Sequence, residues 1–283
     1  MAPKLSIVIL TYNSANYIER LLKSIAKFNE GSDYEIIVVD NNSTDETVKL
    51  IQKAKVKIIE NKENVGFAKG INIGAEEAKG EYLLFINPDM EWKNGSIEDL
   101  ISLFEQDSKV GVIGGKILTK NGRAEKSAGR SLKTFEVFLT TLGLDEALGV
   151  RTSPNKRCEV DFVSGGFMAV RKDLFGKLGG FDENLFMYVE DMEFCYRAKK
   201  EGMKVIFEPS VKVIHAGHGS SSRSFAIKHI YKGLLYFHKK HGNAFSYSTV
   251  GLMLFSKALA LVVLGKIINN KYLTDTYSKV IKT

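Results

Sequence analysis

The stretch Leu83-Leu84-Phe85-Ile86-Asn87-Pro88-Asp89-Met90 decides the architecture that we expect for this chain. Its first four residues are apolar without alternation, which is typical of a strand covered on both faces of a sheet. Proline has no N–H for a sheet ladder, so the strand is expected to end there. Asp89 is thereby predicted on the exposed lip of a buried sheet. A carboxylate there either closes a turn or holds a divalent cation, which can in turn hold phosphate.

Strands and helices alternate through the preceding part of the chain. Further strands are predicted at Leu5–Leu10, Glu35–Val39 and Val56–Ile59. The intervening helices are predicted to run from a cap at Asn13 or Ser14 to Phe28, from a capping box of Ser43 and Glu46, and from Gly66 to Lys79. This alternation implies right-handed βαβ units, and therefore an α/β fold with a mostly parallel sheet flanked by helices.

Polar residues follow three of the predicted strands. They are Thr11-Tyr12-Asn13, Asp40-Asn41-Asn42 and Asn87-Pro88-Asp89. In open parallel sheets ligands bind outside the carboxyl ends of the strands, so these clusters are expected at one edge. Each cluster alone has a local explanation as a cap or a turn, but together they predict a nucleotide site. Neither a G-x-x-x-x-G-K-[ST] loop nor a G-x-G-x-x-G turn follows the first strand, which disfavours ATP hydrolysis and dinucleotide redox chemistry.

The second half of the chain is less regular. A helix is predicted at Ser96–Gln106 and a strand at Val110–Ile117, followed by an irregular insertion over residues 119–158 that includes a short helix at Thr134–Leu142. Strand character resumes from Val160 to Val170 around Gly165 and Gly166, which either allow close approach of a ligand to the backbone or form a bulge. A helix opened by residues 186–191 and ending near Glu201, and a strand at Val211–His215, complete this half.

Charge is concentrated at the end of the chain. The formal net charge is +7, whereas residues 223–283 contain ten Lys/Arg and one acidic residue, a balance of +9. Nucleic acid is disfavoured as a partner because the tail has no recognised nucleic-acid motif. The run Val250–Leu264 is shorter than the ~20 apolar residues of a spanning helix. With basic flanks at Lys239-Lys240 and Lys266–Lys271, it favours an interfacial helix on an anionic membrane surface, the alternatives being a buried helix or a dimer interface.

Cysteine content and the first residues bear on the compartment. The two cysteines, Cys158 and Cys195, provide no metal or disulfide framework, which predicts a reducing compartment. Met1–Lys4 enters a strand directly, without a signal-peptide pattern. We therefore expect a cytoplasmic protein at the inner face of the cell membrane.

Together these motifs resemble family 2 glycosyltransferases of the GT-A fold over residues 4 to about 225. The resemblance rests on Thr11-Tyr12-Asn13, on residues 38–45, on Asn87-Pro88-Asp89 as a form of the D-x-D motif, on Gly179–Glu183, on Glu190-Asp191, and on Arg197 and His215. Residues 64–72 are similar to the rhamnosyltransferase-like members in particular. The resemblance implies inverting transfer from a nucleotide-sugar with a divalent cation, Mg²⁺ or Mn²⁺. Glu193, where many relatives have Asp, is a conservative departure.

The resemblance also assigns roles to residues. Asp191 is expected to be the general base with Glu190 beside it, Asp40 to bind a uracil or thymine ring, and Asp89 to bind the metal, with His215 completing the metal site or meeting the pyrophosphate. Nucleotide-sugar contacts are further expected from Thr11, Tyr12, Asn13, Asn42, Gly66, Phe67, Asn72, Asn87, Gly165 and Gly166. Residues 1–222 would form the transferase domain, divided into a nucleotide-sugar-binding half (1–117) and an acceptor half (118–222), with 223–283 as a helical tail.

Expected partners follow from the same assignment. The donor is expected to be a UDP- or dTDP-sugar, with dTDP-rhamnose first, and the acceptor a lipid-linked or polysaccharide sugar. A nucleotidyltransferase is the alternative enzyme, but Thr11–Asn16 offers neither the glycine nor the basic residue that such a loop needs. A binding module that keeps the fold without catalysis is the other alternative, against which Asp89 and Asp191 argue. A processive synthase is disfavoured because Trp92 is the only tryptophan, so Q-x-x-R-W is absent.

Overall fold

A computed structural model describes residues 2–217 and 222–282. Residues 218–221 of the predicted transferase domain lie outside the described residues. The elements of the first half are β1 (Leu5–Thr11), α1 (Ile18–Phe28), β2 (Tyr34–Asp40), α2 (Thr47–Ile51), β3 (Lys57–Glu60), α3 (Phe67–Glu76), β4 (Tyr82–Ile86), β5 (Met90–Asn94), α4 (Ile97–Gln106) and β6 (Val110–Thr119). Those of the second half are β7 (Ala128–Gly129), α5 (Thr134–Thr141), β8 (Arg151–Thr152), β9 (Cys158–Val160), β10 (Phe162–Val163), β11 (Phe167–Arg171), α6 (Lys172–Lys177), α7 (Glu190–Lys200), β12 (Lys204–His215), α8 (Arg223–His241), α9 (Ala244–Ile267) and α10 (Lys271–Ile281).

The main sheet has the order β3-β2-β1-β4-β11-β6-β12-β5, with β9 against β12. The first four strands are mutually parallel, as the strand–helix alternation predicts. Beyond β4 the sheet is mixed, because β11 runs antiparallel to both β4 and β6, and β12 is parallel to β6. The α/β class is confirmed, while the parallel pattern is confined mainly to the first half.

Two apolar clusters cover the faces of this sheet. β1 and β4 are buried at every position, so their side chains feed both clusters. One cluster joins the sheet to α3, α6 and α7, and the other joins it to α1 and α4. Burial on both faces explains why these strands read as continuous apolar runs rather than alternating ones.

Several local predictions were wrong for identifiable reasons. The predicted cap at Asn13 or Ser14 does not form, because α1 begins at Ile18 after Tyr17. The capping box of Ser43 and Glu46 does not form either, since Asp45 accepts from the Thr47 N–H instead. The chain after Pro88 turns and returns to the sheet as β5, which leaves Asp89 only 9% exposed rather than on an exposed lip.

The insertion contains more structure than predicted. Its short helix, α5, is confirmed, but β7 and β8 also pair with β10 in a small separate sheet. α6 and β5 were not predicted, and β12 begins seven residues before the predicted Val211. The long β12 includes a register shift between Glu208 and Lys212, where Pro209 interrupts the ladder.

The tail folds as three helices and not as a short apolar segment. α9 has 24 residues, longer than the predicted run, and is opened by a capping box of Asn243 and Ser246. Among the described residues it is the one helix that is long and apolar enough to cross a membrane, by length and composition. A third apolar cluster joins α8, α9 and α10 to α5 and to Val189, just before α7. The tail is therefore packed onto the part of the domain that carries the predicted base.

Candidate active site

The carboxyl ends of β1 and β2 are tied together by Asp40. Its Oδ1 accepts hydrogen bonds from the hydroxyls of Thr11 (2.7 Å) and Ser43 (2.6 Å), and its Oδ2 accepts from the Ser43 N–H (2.7 Å). The Asp40 residue is only 1% exposed. A carboxylate has about four acceptor positions, so one position on Oδ2 is left for a ligand. Asp40 is thus rigidly placed, and its predicted contact with a pyrimidine base stays a prediction.

The neighbouring residues that we predicted to contact the donor are either exposed to solvent or hydrogen-bonded within the protein. Asn13 (φ 50°) accepts from the Thr44 N–H, while Tyr12 and Asn42 are exposed. Asn41, which we did not single out as a contact, donates to Asn64 and to the Gly66 carbonyl. These bonds fix the edge of the sheet near the start of α3, where a base and ribose would lie.

The start of α3 lies against the loop that leads to α7. Gly66 has φ +88°, and the Phe67 N–H donates to the carbonyl of Phe186 (2.6 Å). Asn72 donates to the Phe181 carbonyl and to Glu183, and accepts from the Phe181 N–H. Asn72 is therefore occupied by the turn at residues 180–183, with one acceptor position left, and its predicted contact with the donor stays untested.

Asp89 and His215 meet at the ends of β4 and β12. Asp89 Oδ2 lies 3.1 Å from His215 Nε2, and His215 Nδ1 lies 3.0 Å from Glu125. The hydrogen bonds to Asp89 and Glu125 raise the pKa of His215 to about 10, so a cation that took Nε2 would displace a proton. Asp89 Oδ1 is buried without a hydrogen-bond partner among the described residues. A buried carboxylate oxygen left without a partner is costly, and a cation would satisfy it.

Two basic residues beside Asp89 were missed from the sequence. A cavity of about 40 Å³ is lined by Asp89, Arg20, Lys120 and Tyr17. Arg20 lies on α1 and Lys120 follows β6, 100 positions later in the chain, so no local motif indicates that they meet. Their positive charges suit a diphosphate.

The glycine pair connects Asp89 to the predicted base. The Asn87 N–H donates to the Gly166 carbonyl (3.0 Å), and the Gly165 N–H donates to Asp191 Oδ2 (2.8 Å). A Cβ at Gly165 would lie 3.3 Å from the Cβ of Asp191, and one at Gly166 would lie 3.1 Å from Met90 Cε. The pair thus allows the strand end at Asn87 and the predicted base, Asp191, to approach each other, and the predicted residues 87, 89, 165, 166 and 191 are brought together.

Asp191 and Glu190 occupy the first turn of α7, not the positions before it. Burial raises the pKa of the Asp191 carboxyl, while the N–H groups of Gly165 and Met192 act in the opposite direction. Burial and the neighbouring Asp191 carboxylate raise the pKa of Glu190 well above its usual value. A raised pKa makes a carboxylate a stronger proton acceptor, which is suited to a general base.

The turn before α7 is strained. Tyr188 and Val189 both have positive φ, 69° and 74°. For a β-branched residue such as valine this is an outlier, and such residues cost of order 1–3 kcal/mol each. Gly233 of α8 faces this turn, where a Cβ would lie 2.8 Å from Val189 Cγ2. The helix α8 therefore packs against the strained turn that orients Glu190 and Asp191.

Ion pairs join the same two helices. Glu193, fully buried, accepts from Arg197 on α7 and from Lys240 on α8, and lies 2.8 Å from His241 Nε2. Lys240 also donates to Asp182 (2.6 Å), which accepts from Tyr236 (2.7 Å). Lys240, which we expected to flank a membrane helix, instead joins α8 to Asp182 and Glu193. Sequence analysis missed these contacts because the residues of α8 and their carboxylate partners are 47 to 58 positions apart.

The fold and this arrangement of strand-end carboxylates define a glycosyltransferase of the GT-A type. The model of glycosyl transferase family 2 matches residues 6–179, more than half of the chain, and the chain belongs to that family. The match ends before α7, so the family model does not itself include Glu190, Asp191 or the tail.

Curated relatives place the chain near rhamnosyltransferases. It is 28% identical to the N-acetylglucosaminyl-diphospho-decaprenol L-rhamnosyltransferase of Mycobacterium tuberculosis, over 79% of this chain and 79% of the relative. It is 27% identical to the rhamnosyltransferase WbbL of Escherichia coli, over 78% of this chain and 86% of the relative. The predicted resemblance to the rhamnosyltransferase-like group is confirmed.

Solved structures support the fold. The mannosyltransferase PcManGT of Pyrobaculum calidifontis, in complex with GDP-Man and Mn²⁺, superposes with a TM-score of 0.59 at 18% identity and covers 99% of this chain and 86% of that one. GalNAc-T7 with UDP, GalNAc and Mn²⁺ has a TM-score of 0.64 at 18% identity, covering 87% of this chain and 52% of that one. These likenesses show the fold alone.

Proposed function

We propose that this glycosyltransferase transfers L-rhamnose, with inversion, from dTDP-rhamnose to a lipid-linked or polysaccharide acceptor. The observation that carries the proposal is the pairing of Asp89 with His215 beside the glycine pair, of which Gly165 donates its N–H to Asp191. A donor diphosphate held at Asp89 would place the anomeric carbon between the leaving group and the base. The support for rhamnose comes from the two curated relatives that bear that activity in their names.

A divalent cation is proposed at Asp89 and His215. Carboxylate oxygen and imidazole nitrogen suit Mn²⁺ or Mg²⁺, and the unpartnered Asp89 Oδ1 is the observation that fits one. In the described residues no group of three or more His, Cys, Asp or Glu side chains is arranged to hold a metal. The donor diphosphate would therefore complete the coordination. A bound cation stabilises the charge that develops on the leaving diphosphate.

The chain's own residues supply the rest of the chemistry. Arg20 and Lys120, which line the same cavity as Asp89, would neutralise diphosphate oxygens that the cation does not bind. Asp191 would take the proton of the acceptor hydroxyl as that oxygen attacks the anomeric carbon from the face opposite the diphosphate, which gives inversion. Glu190, whose pKa is raised by burial and by the neighbouring Asp191 carboxylate, would hold the acceptor hydroxyl by a hydrogen bond.

The donor base is proposed to be thymine or uracil. The remaining acceptor position on Asp40 Oδ2 can receive the N3–H of either ring, which cytosine lacks. Isothermal titration with dTDP, UDP, GDP and CDP in the presence of Mn²⁺ tests this. We expect dTDP and UDP to bind more tightly than the others. Tighter binding of GDP or CDP than of both would overturn it.

The acceptor and the location are proposed together. A relative named for a decaprenol-linked acceptor supports a lipid-linked substrate, which would place the protein at the inner face of the cell membrane. Transfer from dTDP-rhamnose to a polyprenyl-diphospho-sugar, followed by mass spectrometry of the product, tests this. A product one deoxyhexose heavier is expected, and no transfer to either lipid-linked or polysaccharide acceptors would contradict the proposal.

A further inference from the structure

The helix α9 has apolar residues on opposite faces. One face is buried against the rest of the tail, through Val250, Leu254, Ala258 and Val262. The other face is exposed and consists mainly of Phe245, Leu252, Phe255, Leu259, Val263 and Ile267. Leu252 is 67% exposed and Ile267 is 75% exposed. A helix that is apolar all round is normally covered on all sides. The exposed apolar face of α9 is therefore expected to be covered by a partner.

The helix α5 carries exposed apolar residues of its own beside α9. They are Phe135, Phe138 and Leu142, of which Phe135 is 61% exposed. The two helices are in contact, and Lys257 of α9 donates to the Thr140 carbonyl of α5. Together, the exposed residues of α5 and α9 form a surface that we call the apolar platform. Groups of neighbouring, exposed large apolar side chains are typical of interaction sites.

Charges around the apolar platform select its partner. α9 contains Lys257 and Lys266 and no acidic residue, and Lys266 and Lys271 are exposed at its carboxyl end. Lys133 is exposed at the start of α5, next to Phe135. Acidic residues lie in and after α5, at Glu136, Asp145 and Glu146, so the positive charge is concentrated at the carboxyl end of α9 and at the start of α5. Lysines at these margins of an apolar surface are complementary to an anionic lipid surface, to which each nearby lysine adds about 1 kcal/mol.

We propose that the apolar platform inserts into one leaflet of an anionic membrane with α9 parallel to the membrane plane. A spanning orientation would expose the buried face of α9 to lipid and separate it from α8, α10 and α5. It would also place Lys257, near the middle of the helix, in the hydrocarbon core without its bond to Thr140. The in-plane orientation keeps every contact of the tail and buries only residues that are already exposed.

This inference rests on the proposed function for its purpose but not for its evidence. Val189, immediately before Glu190, belongs to the same apolar cluster as Val137 of α5 and Leu254 of α9. The elements that carry the apolar platform therefore also border the base. Docking of the platform would hold the acceptor side of the site at the membrane surface, where the head of a lipid-linked acceptor lies.

Vesicle flotation with the full-length protein tests the proposal. The probes are vesicles of phosphatidylglycerol with phosphatidylcholine, and of phosphatidylcholine alone, both free of acceptor. We expect binding to the anionic vesicles that weakens with salt. The variant Leu252→Gln/Phe255→Gln/Leu259→Gln should reduce the bound fraction at least about tenfold, since three large apolar side chains leave the lipid. Ile230→Gln, at an exposed isoleucine of α8 outside the platform, is the matched control and should bind like the parent.

Other outcomes would overturn the proposal. Unchanged vesicle binding by the triple variant, with circular dichroism showing the parental fold, would place the membrane contact elsewhere or nowhere. Retention of the protein in cell membranes after alkaline carbonate extraction would indicate a spanning helix. Sedimentation velocity showing a lipid-free dimer that the triple variant dissociates, without loss of vesicle binding, would assign the platform to a second copy. Because the vesicles contain no acceptor, failure here leaves the proposed transfer reaction intact, and dTDP binding by the same variant reports on that reaction separately.

Discussion

The donor side and the base side of this site are held by different means. On the donor side the hydroxyls of Thr11 and Ser43 donate hydrogen bonds to Asp40, all within the first 43 residues. On the base side the strained turn Tyr188–Val189 is supported from α8, more than 40 residues downstream. Hydrogen bonds between neighbouring strand ends hold the Asp40 end of the donor side without the later part of the chain, whereas the Asp89–His215 end needs β12 and the base side depends on the tail. The difference predicts which substitutions affect donor binding and which affect only transfer.

The base itself gives the largest expected effect and the sharpest separation of the two sides. Asp191→Asn is nearly isosteric and keeps an oxygen for the Gly165 N–H, but it cannot take a proton. We expect donor affinity like that of the parent and a transfer rate lower by about 10²–10⁴. Single-turnover transfer and titration with dTDP measure the two quantities, with Glu190→Gln as the less severe comparison. Parental single-turnover rates for Asp191→Asn would show that the wrong carboxylate has been assigned.

Asp89→Ala should break the donor side instead. The substitution removes the carboxylate that we assign to the cation, so stabilisation by Mn²⁺ with dTDP should disappear. A ligand at 100 times its Kd contributes about 2.7 kcal/mol, which makes the loss measurable as a thermal shift. The matched control is Glu98→Gln, an exposed carboxylate on α4 that does not line the Asp89 cavity, which should keep the shift. A shift retained by Asp89→Ala would reduce Asp89 to a turn residue.

Gly233→Ala tests whether α8 supports the base turn. The added Cβ would lie 2.8 Å from Val189 Cγ2, so the turn must shift by a few tenths of an ångström or more. We expect kcat to fall roughly tenfold with donor affinity unchanged, because small displacements of reacting groups are costly. Gly251→Ala on α9 is the matched control, since its Cβ would meet only Leu235 at an ordinary 3.7 Å. Equal kcat for both variants would separate the tail from catalysis.

The smallest expected effect concerns stability and pH. Burial opposes ionisation of Asp182 and Glu193, but hydrogen bonds from Lys240, Tyr236 and Arg197 lower the pKa of both carboxyls below their ordinary 3.8 and 4.5. A lowered pKa contributes stability above the unfolded value that is lost as pH falls, here below about pH 4.5. Lys240→Met should lower the free energy of unfolding by about 1–2 kcal/mol at pH 7. It should also make that free energy depend less on pH in the acid range. An unchanged dependence on pH in the acid range would mean that the ion pairs of Lys240 are not formed in solution.

How far the sequence predicts the structure follows the same division. The strands β1, β2 and β4 are continuous apolar runs, so their positions and the strand-end cluster of Thr11, Asp40 and Asp89 could be predicted. The pairing of His215 with Asp89 depended on family resemblance, because the two residues are 126 positions apart. The wrong capping box at Ser43 shows a limit of local patterns, since its hydroxyl is taken by Asp40.

The tail was the least predictable region, because its charge and apolar content do not show which of its residues contact the rest of the protein. Lys240 and Lys266 contribute equally to the +9 balance, but Lys240 is bonded to Asp182 and Glu193, whereas Lys266 lies in the last turn of the apolar helix α9. Gly233 resembles any helical glycine until its neighbour on another element is known. Only tertiary contacts distinguish a basic residue that tethers two helices from one available to a membrane.

The dependence of the strained turn on α8 has a consequence for the order in which the protein is made. Chains emerge from the ribosome amino terminus first, and domains begin to fold as they emerge. The strand ends that would bind the nucleotide can form once β4 has emerged. The base turn lacks its support until Gly233, Lys240 and His241 follow. The Asp89–His215 pair, which we propose for the diphosphate, also needs β12, so a nascent chain should form the edge around Asp40 well before it can bind the whole donor or transfer sugar.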